Sequence, residues 1–374
     1  KMTVNIRCSA FLTILAVFVI PVSRAFLPSR IESRHVISPK NYVGPRHPFL
    51  FHSMSDDNSD DASYDQALLD AISEMELLTD AYRVFHGRGG SFPGCEYLTL
   101  DWFSPVWVLT SFKDVSDTDL NRWHDALHSR WSQLLTDRKD DEQLNWVYQC
   151  RATSPPTTKL MSGEVPSQHI VTEMGNQYLV HVMRGQNHGL FLDMSYGRAW
   201  LQQHAQNWKV LNLFSYTCAF SISALAGGAK EVVNVDMSKG ALKIGQKNHD
   251  LNKFSDAGVA RFLGHNIFKS WGKIKKMGPY DAVVVDPPSY QKGSFVAEKD
   301  YIKLIRRLPT LLLPGGYVLL CLNAPELDSQ FLQSQVTEAA PELQFVKRLD
   351  NPPSFPVADP EKALKVLLYQ LPMQ

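Results

Sequence analysis

The sequence has no net charge: 38 Lys and Arg residues balance 38 Asp and Glu residues. A chain-wide basic field of the kind that draws proteins onto nucleic acid is therefore missing, and any nucleic-acid partner has to be met by a local patch. Cysteines are few. Cys8, Cys95, Cys150, Cys218 and Cys321 form no CxxC pair and have no histidines at zinc-ligand spacing, so no metal is expected and the five read as free thiols in a reducing compartment. Also missing, from the loop where a nucleotide phosphate would sit, are the glycines of a GxGxxG or P-loop motif, which argues against NAD and against nucleotide hydrolysis.

What is there is enough for a leader and about two domains. The 374 residues are 44% hydrophobic and 20% charged, with eight Trp and nineteen Phe, the composition of a globular chain with a sizeable core. Residues 10 to 20 form an apolar run preceded by Lys1 and Arg7 and followed by Pro21 and small residues up to Ala25. This has the anatomy of a signal peptide and is too short for a permanent span. From Phe26 to Lys40 the chain carries Arg30, Arg34 and several Ser with a single acid, and the two segments together resemble the bipartite plastid presequences of diatoms and related algae. The expectation is a signal peptide over 1–25, a transit segment and solvated linker over 26–65, and delivery to a plastid, with another endomembrane-routed compartment as the alternative.

Leu68, Leu69, Ile72, Met75 and Leu78 recur at helical spacing and predict a helix from Gln66 to Tyr82. A turn at Gly87-Arg88-Gly89-Gly90 leads into apolar, aromatic strands between Tyr97 and Phe112, broken at Pro105. A helix over 119–135 and a strand over 146–152 complete a small α+β domain, taken as 66–168. The pattern changes at Lys209. Apolar strands at 209–214, 231–235, 260–263, 281–286, 316–322, 343–348 and 364–370 alternate with helices at 219–227, 238–252, 266–276, 298–312 and 327–339. Such alternation signals a mostly parallel α/β sheet covered on both faces, with its ligands at the carboxyl ends of the strands. The last two strands have no helix between them and predict an antiparallel hairpin at the sheet edge.

Two acids stand where chemistry is expected. Asp236 ends the second strand about twenty residues past the first strand-to-helix turn, the position from which a carboxylate accepts hydrogen bonds from ribose hydroxyls. It could equally cap the helix beginning near Ser238. Asp286 ends the fourth strand and is followed by Pro287, Pro288, Ser289 and Tyr290. Successive prolines stiffen the loop and aim the acid, either toward a substrate amine or simply as a strand-ending turn.

The segments Val210 to Thr217, Gly227 to Asp236, Asn248 with Leu251 and Asn252, and Asp286 to Pro288, with Glu173 to Asn176, Gln186 to Asp193 and Arg198 upstream, resemble class I S-adenosylmethionine (SAM) dependent methyltransferases of the bacterial large-subunit ribosomal RNA type. The subgroups they are similar to modify C5 of cytosine or N7 of guanine. The resemblance spans roughly residues 170 to 370 and implies a Rossmann-like seven-stranded sheet in a methyltransferase domain over 169–374. It implies SAM as cofactor, with Asp236 at the ribose, Met237 and Asp286 among the cofactor contacts, the loop Phe214, Ser215, Tyr216, Thr217, Cys218 and Ala219 against the methionine part, and Asn266 near adenine. Phe191, Asp193 and Arg198 would line the cofactor side, and Asp286 to Ser289 would face the target. The family usually has glycine where this chain has Cys218 and Ala219.

Cytosine C5 is not nucleophilic enough alone and needs a Cys thiolate to add to the ring. In the cytosine subgroup that cysteine follows the glycine pair of the fifth strand, at a position that is Asn323 here, with Cys321 two residues earlier and of the same strand parity. Asn323 resembles the guanine-N7 subgroup, so Cys321 and Asn323 are both candidates. Ribosomal RNA is the expected partner. Lys273, Lys275, Lys276, Lys292, Lys303, Arg306 and Arg307 are candidate RNA contacts, and Tyr97, Trp102, Phe103 and Trp107 candidate stacking surfaces. A protein or small-molecule acceptor, or a non-catalytic RNA-binding assembly factor, remain alternatives, and no oligomeric state is indicated.

Overall fold

The computed structural model describes residues 64–138, 143–185, 187–254, 259–288, 290–291 and 295–373. The signal-peptide and transit expectations, Ser289 and Lys292 lie outside the described residues.

Five strands, β1 (Tyr82–His86), β2 (Leu98–Phe103), β3 (Val106–Ser111), β4 (Trp146–Cys150) and β5 (Thr157–Ser162), pair in that order into one sheet. β2 and β3 are the expected pair of strands around Pro105, in register from Leu98↔Ser111 to Phe103↔Val106. Helices α1 (Gln66–Glu74) and α2 (Asp117–Arg138) cover one face. Leu68, Ile72, Trp123 and Leu127 meet Phe85, Leu100, Trp107 and Trp146 there, all at most 2% exposed. Indole burial on this scale is a large part of what holds so small a layer together.

The expected helix over 66–82 ends at Glu74. Met75 is extended, and its carbonyl is taken by the Arg130 guanidinium at 2.8 and 3.1 Å. The Leu78 carbonyl accepts from the Trp102 indole, and Tyr82 already begins β1. The helical spacing of Met75 and Leu78 is thus overridden by tertiary hydrogen bonds that need extended backbone. Trp102, Phe103 and Trp107 are at most 3% exposed and belong to the core, so they offer no stacking surface.

A hairpin, β6 (His169–Glu173) and β7 (Asn176–Val180), and α3 (Ser195–His204) lead into the second sheet. There the chain runs β8 (Lys209–Leu213), α4 (Ala219–Ala226), β9 (Glu231–Asp236), α5 (Lys239–Leu251), β10 (Val259–Gly264), α6 (Trp271–Met277) and β11 (Tyr280–Val285). A short pair, β12 (Tyr290–Gln291) and β13 (Phe295–Val296), precedes α7 (Ala297–Ile305), β14 (Leu312–Leu322), α8 (Ser329–Ala339), β15 (Gln344–Leu349) and β16 (Lys365–Gln370). The order is β10-β9-β8-β11-β14-β16-β15, parallel except for β16, which runs antiparallel to both neighbours. This is the expected seven-stranded α/β sheet. The hairpin does sit at the edge, with β15 outermost and β16 tucked inside.

Alternate residues sort the two faces. Leu211, Val233, Val283 and Leu320 pack under α7 and α8, whereas Val210, Val232, Val284 and Leu319 pack under α3 and α4. The order of strands reverses between β8 and β11, and at such a switch point the loops splay apart and leave a crevice. A fourth cluster, with Phe103, Val108 and Val147 against Tyr178, Val180 and Ile222, joins the five-stranded sheet to the hairpin and α4.

Candidate functional site

A cavity of about 700 Å³ opens at the carboxyl ends of β8, β9, β11 and β14. Its wall brings together Phe214, Ser215, Tyr216, Thr217 and Ala219 with Asp236 and Met237, Asn266, Asp286 to Pro288 and Asn323. Phe191, Asp193 and Arg198 arrive from the segment before β8.

The loop after β8 holds three non-glycine residues in the left-handed region, Phe214 at φ 57°, Tyr216 at 46° and Cys218 at 64°. Each such residue costs on the order of 1–3 kcal/mol and persists only where its surroundings enforce it. Here the enforcement is visible. The Asp236 carboxylate accepts from the Tyr216 amide at 2.8 Å and from the Ser238 amide at 2.7 Å, one on each oxygen. The Thr217 hydroxyl donates to the Gly189 carbonyl at 2.6 Å, and the Asn248 amide group donates to the Thr217 carbonyl at 3.0 Å. Two of about four lone-pair positions on Asp236 are thereby used, which leaves acceptor capacity facing the cavity. The helix-cap alternative goes to Ser238, whose own hydroxyl accepts from Ala241.

Cys218 does not line the cavity. It is fully buried and turned toward α5, where a Cβ on Gly245 would come within 2.5 Å of its sulfur. Gly245 thus makes the room that lets a cysteine stand where the family usually has glycine. Burial pushes the Cys218 thiol well above its ordinary range.

Arg198 reaches the cavity wall with three of its five N–H donors engaged. Its guanidinium donates twice to Glu173, at 2.6 Å each, and once to the Phe191 carbonyl at 2.8 Å. It fixes the segment that carries Phe191 and Asp193. Asn248 and Asn252 act similarly, accepting from the Leu179 and Gln177 amides and so tying β7 to α5.

Asp286 stands at the end of β11. Burial, then the negative charge of Asp193, raises its carboxyl to about 7, against the opposing pull of Arg198. Burial raises Asp193 as well, opposed by Arg83 and Arg198. Burial and the charge of Asp193 together make Asp286 a proton-exchanging group near neutral pH.

Cys321 is not brought to the cavity. Its side chain is fully buried among Val284, Leu319 and Val366, and burial, reinforced by the charges of Asp286 and Asp193, holds its thiol far above the range for a nucleophile. Asn323, beyond the strand end, is at the cavity wall. The parity that keeps Cys321 on the same side as Asn323 places it one layer down, in the core.

Two features escaped sequence reasoning. Asn187 and Gly189 form part of the wall, placed there by the chain's return past Tyr216. Asn212, within β8, lines the cavity floor and is held by Asn234, which bonds Ser221, which bonds His249. A lone Asn at the same register of two adjacent apolar strands was the available signal.

The residues present fit SAM. The buried Asn266 Oδ1, at the wall, has no partner among the described residues and suits an adenine amino group, while Asp236 offers acceptors suited to ribose hydroxyls. Among the described residues no cluster of His, Cys, Asp or Glu could hold a metal, and no helix is long and apolar enough to cross a membrane.

The family model for S-adenosylmethionine-dependent methyltransferases matches residues 82–370. Curated proteins named ribosomal RNA large subunit methyltransferase I, from Citrobacter koseri and from Escherichia coli K12, are each 29% identical over 287 residues, covering 74% of this chain and 70% of theirs. Among solved structures, a protein described as a methyltransferase and complexed with SAH superposes with TM-score 0.67 at 25% identity, covering 82% of this chain and 79% of that one. One described as a SAM-dependent methyltransferase from Streptococcus mutans has TM-score 0.69 at 24% identity and covers 83% of both chains.

Proposed function

The chain belongs to the S-adenosylmethionine-dependent methyltransferase family, and from that premise we propose that it methylates a nitrogen of a base in ribosomal RNA. The name of the curated relatives, shared across three quarters of this chain, supports the RNA class. The observation that carries the nitrogen acceptor is Asn323 at the cavity wall with Cys321 sealed beneath it. A carbon acceptor requires a thiolate within reach, whereas a base nitrogen needs only orientation.

SAM, when bound, supplies an electrophilic methyl group on a sulfonium. In this reading Asp236 and Met237 hold the ribose, Asn266 meets adenine, and the strained loop from Phe214 to Ala219 seats the methionine part. Phe191 and Tyr216, whose rings lie 5.5 Å apart, border the opening. Asp286, stiffened by Pro287 and Pro288, accepts a hydrogen bond from the base in its ionised form, and Asn323 orients the same base. Proximity and alignment then provide most of the acceleration.

The leader composition supports delivery to a plastid, which makes the organelle ribosome the source of substrate. A fluorescent fusion of residues 1 to 60 that stays in the cytosol would remove that part. The substrate is tested by labelled methyl transfer from SAM onto separate pools of undermodified ribosomal RNA, protein and small-molecule extract. Label in RNA on a base nitrogen is expected. Label confined to another pool overturns the RNA reading, and RNA binding without turnover leaves an assembly factor.

A further inference from the structure

The face of the five-stranded sheet turned away from α1 and α2 is only partly apolar. Phe103, Val108 and Val147 pack against the β6–β7 hairpin, but beside them runs a buried polar row in which Arg83 pairs with Asp101 across β1 and β2, and Thr99, Thr110 and Gln149 follow in register. Desolvating such groups is costly unless each finds a partner. Arg83 has several: it donates to both Asp101 oxygens at 2.7 and 2.9 Å, contacts the His86 ring and lies 4.6 Å from the Phe355 ring centre. Arg83 thus takes one bond on each Asp101 oxygen, about half of that carboxylate's acceptor capacity.

Two more guanidiniums stand nearby, on a single aromatic ring. Arg88 lies 3.8 Å and Arg151 5.5 Å from the centre of Phe112. Arg88 is exposed, and its backbone is anchored because Gly89 packs against Pro356 and accepts from Ala358 at 2.9 Å. Crowding shows in the electrostatics. Burial and the positive charges of Arg83 and Arg88 pull Arg151 down to about 10 despite Asp101. His188 is 6% exposed, and its Nε2 has no hydrogen-bond partner among the described residues. The neighbouring charge it feels most strongly is that of Arg151.

This surface is one loop away from the cavity. The Gly185 carbonyl accepts from Gln149 at 2.8 Å, and Gln149 accepts from Arg151 at 2.5 Å. A few residues on, Asn187 and Gly189 line the cavity and bond Tyr216 and Thr217. A base seated beside Asp286 would thus bring its flanking backbone toward the guanidiniums. Planar guanidiniums held on a ring are pre-organised for bidentate bonds to phosphate, and they need no basic field over the rest of the protein.

We propose that Arg88 and Arg151, which share the Phe112 ring, form the docking surface for the RNA phosphates that flank the target base. This rests on the RNA reading above. It assigns RNA contact to the small N-terminal sheet and not to the Lys273–Lys276 and Lys303–Arg307 clusters.

The test uses a fluorescein-labelled, undermodified single-stranded fragment of large-subunit ribosomal RNA, with anisotropy measured across salt concentrations for the full chain and for Arg88→Glu, Arg88→Gln and Arg151→Lys. SAM affinity by calorimetry is the control for an intact fold. Arg88→Glu is expected to weaken RNA binding at least tenfold and leave SAM affinity unchanged. The logarithmic salt slope is expected to fall by about 0.7 for each phosphate that is no longer neutralised. RNA affinity and slope unchanged in both Arg88 variants, with the wild type binding RNA, overturn the docking surface alone. A wild type that binds no RNA overturns the substrate reading together with it. If an acidic peptide binds at this surface and RNA does not compete, the partner is a protein and the proposal falls.

Discussion

Glu173 and Arg198 form a sealed two-point ion pair, with both N–O distances 2.6 Å and both side chains 2% exposed. It links the end of β6 to α3. Because the same guanidinium holds the Phe191 carbonyl, the pair sets the position of the wall that carries Phe191 and Asp193.

Breaking such a pair from one side leaves an uncompensated buried charge. Arg198→Met or Glu173→Leu alone should destabilise the protein by about 3–5 kcal/mol, and the double replacement by clearly less than the sum. Urea unfolding of the four proteins measures this. Strict additivity would show that the two side chains do not share their energy.

Asp236 gives a cofactor prediction. Its two oxygens are pinned by the Tyr216 and Ser238 amides, so the carboxylate both shapes the loop and faces the cavity. Asp236→Ala should weaken SAM binding at least tenfold, or about 1.4 kcal/mol. Unchanged affinity in calorimetry would count heavily against the assigned ribose contact.

The seven-stranded sheet was legible because its strands are near-continuous apolar runs that parallel pairing buries on both faces, as in Tyr280–Val285. Asp236 and Asp286 were legible because strand ends are where such sheets bind ligands. Other features have no local signature. Thr157–Ser162 is a half-exposed edge strand without apolar alternation, and the short β6–β7 hairpin carries its apolar residues at a contact with distant Phe103 and Ile222. The left-handed Phe214, Tyr216 and Cys218 could not be read because no glycine marks them. Their conformations are imposed by Asp236, Asn248 and the space over Gly245.

Cys321 separates carbon from nitrogen chemistry. Cys321→Ala should leave methyl transfer within about twofold, since the thiol has no route to the substrate, and cost roughly 1–2 kcal/mol of stability from lost core packing. Asn323→Ala should slow transfer while leaving SAM affinity intact. Single-turnover assays with saturating SAM give the comparison, and loss of turnover in Cys321→Ala would restore the thiolate mechanism.

Asp286 makes activity and stability depend on pH in opposite directions. With its folded carboxyl raised to about 7, the hydrogen-bond-accepting form grows as pH rises, so kcat/KM should climb between pH 6 and 8 with a midpoint near 7. Asp193→Asn removes the neighbouring negative charge, so it should move that midpoint down. Stability runs the other way. An unfolded aspartic acid titrates near 3.9, so the native state holds the proton more tightly, and this contribution is complete below about pH 4 and lost as pH rises through 7. Asp286→Asn should therefore unfold at higher urea than the wild type at pH 8 and gain little at pH 4.5, while losing the pH-dependent rise in activity. A midpoint that stays near 7 in Asp193→Asn would mean that some other group controls the profile.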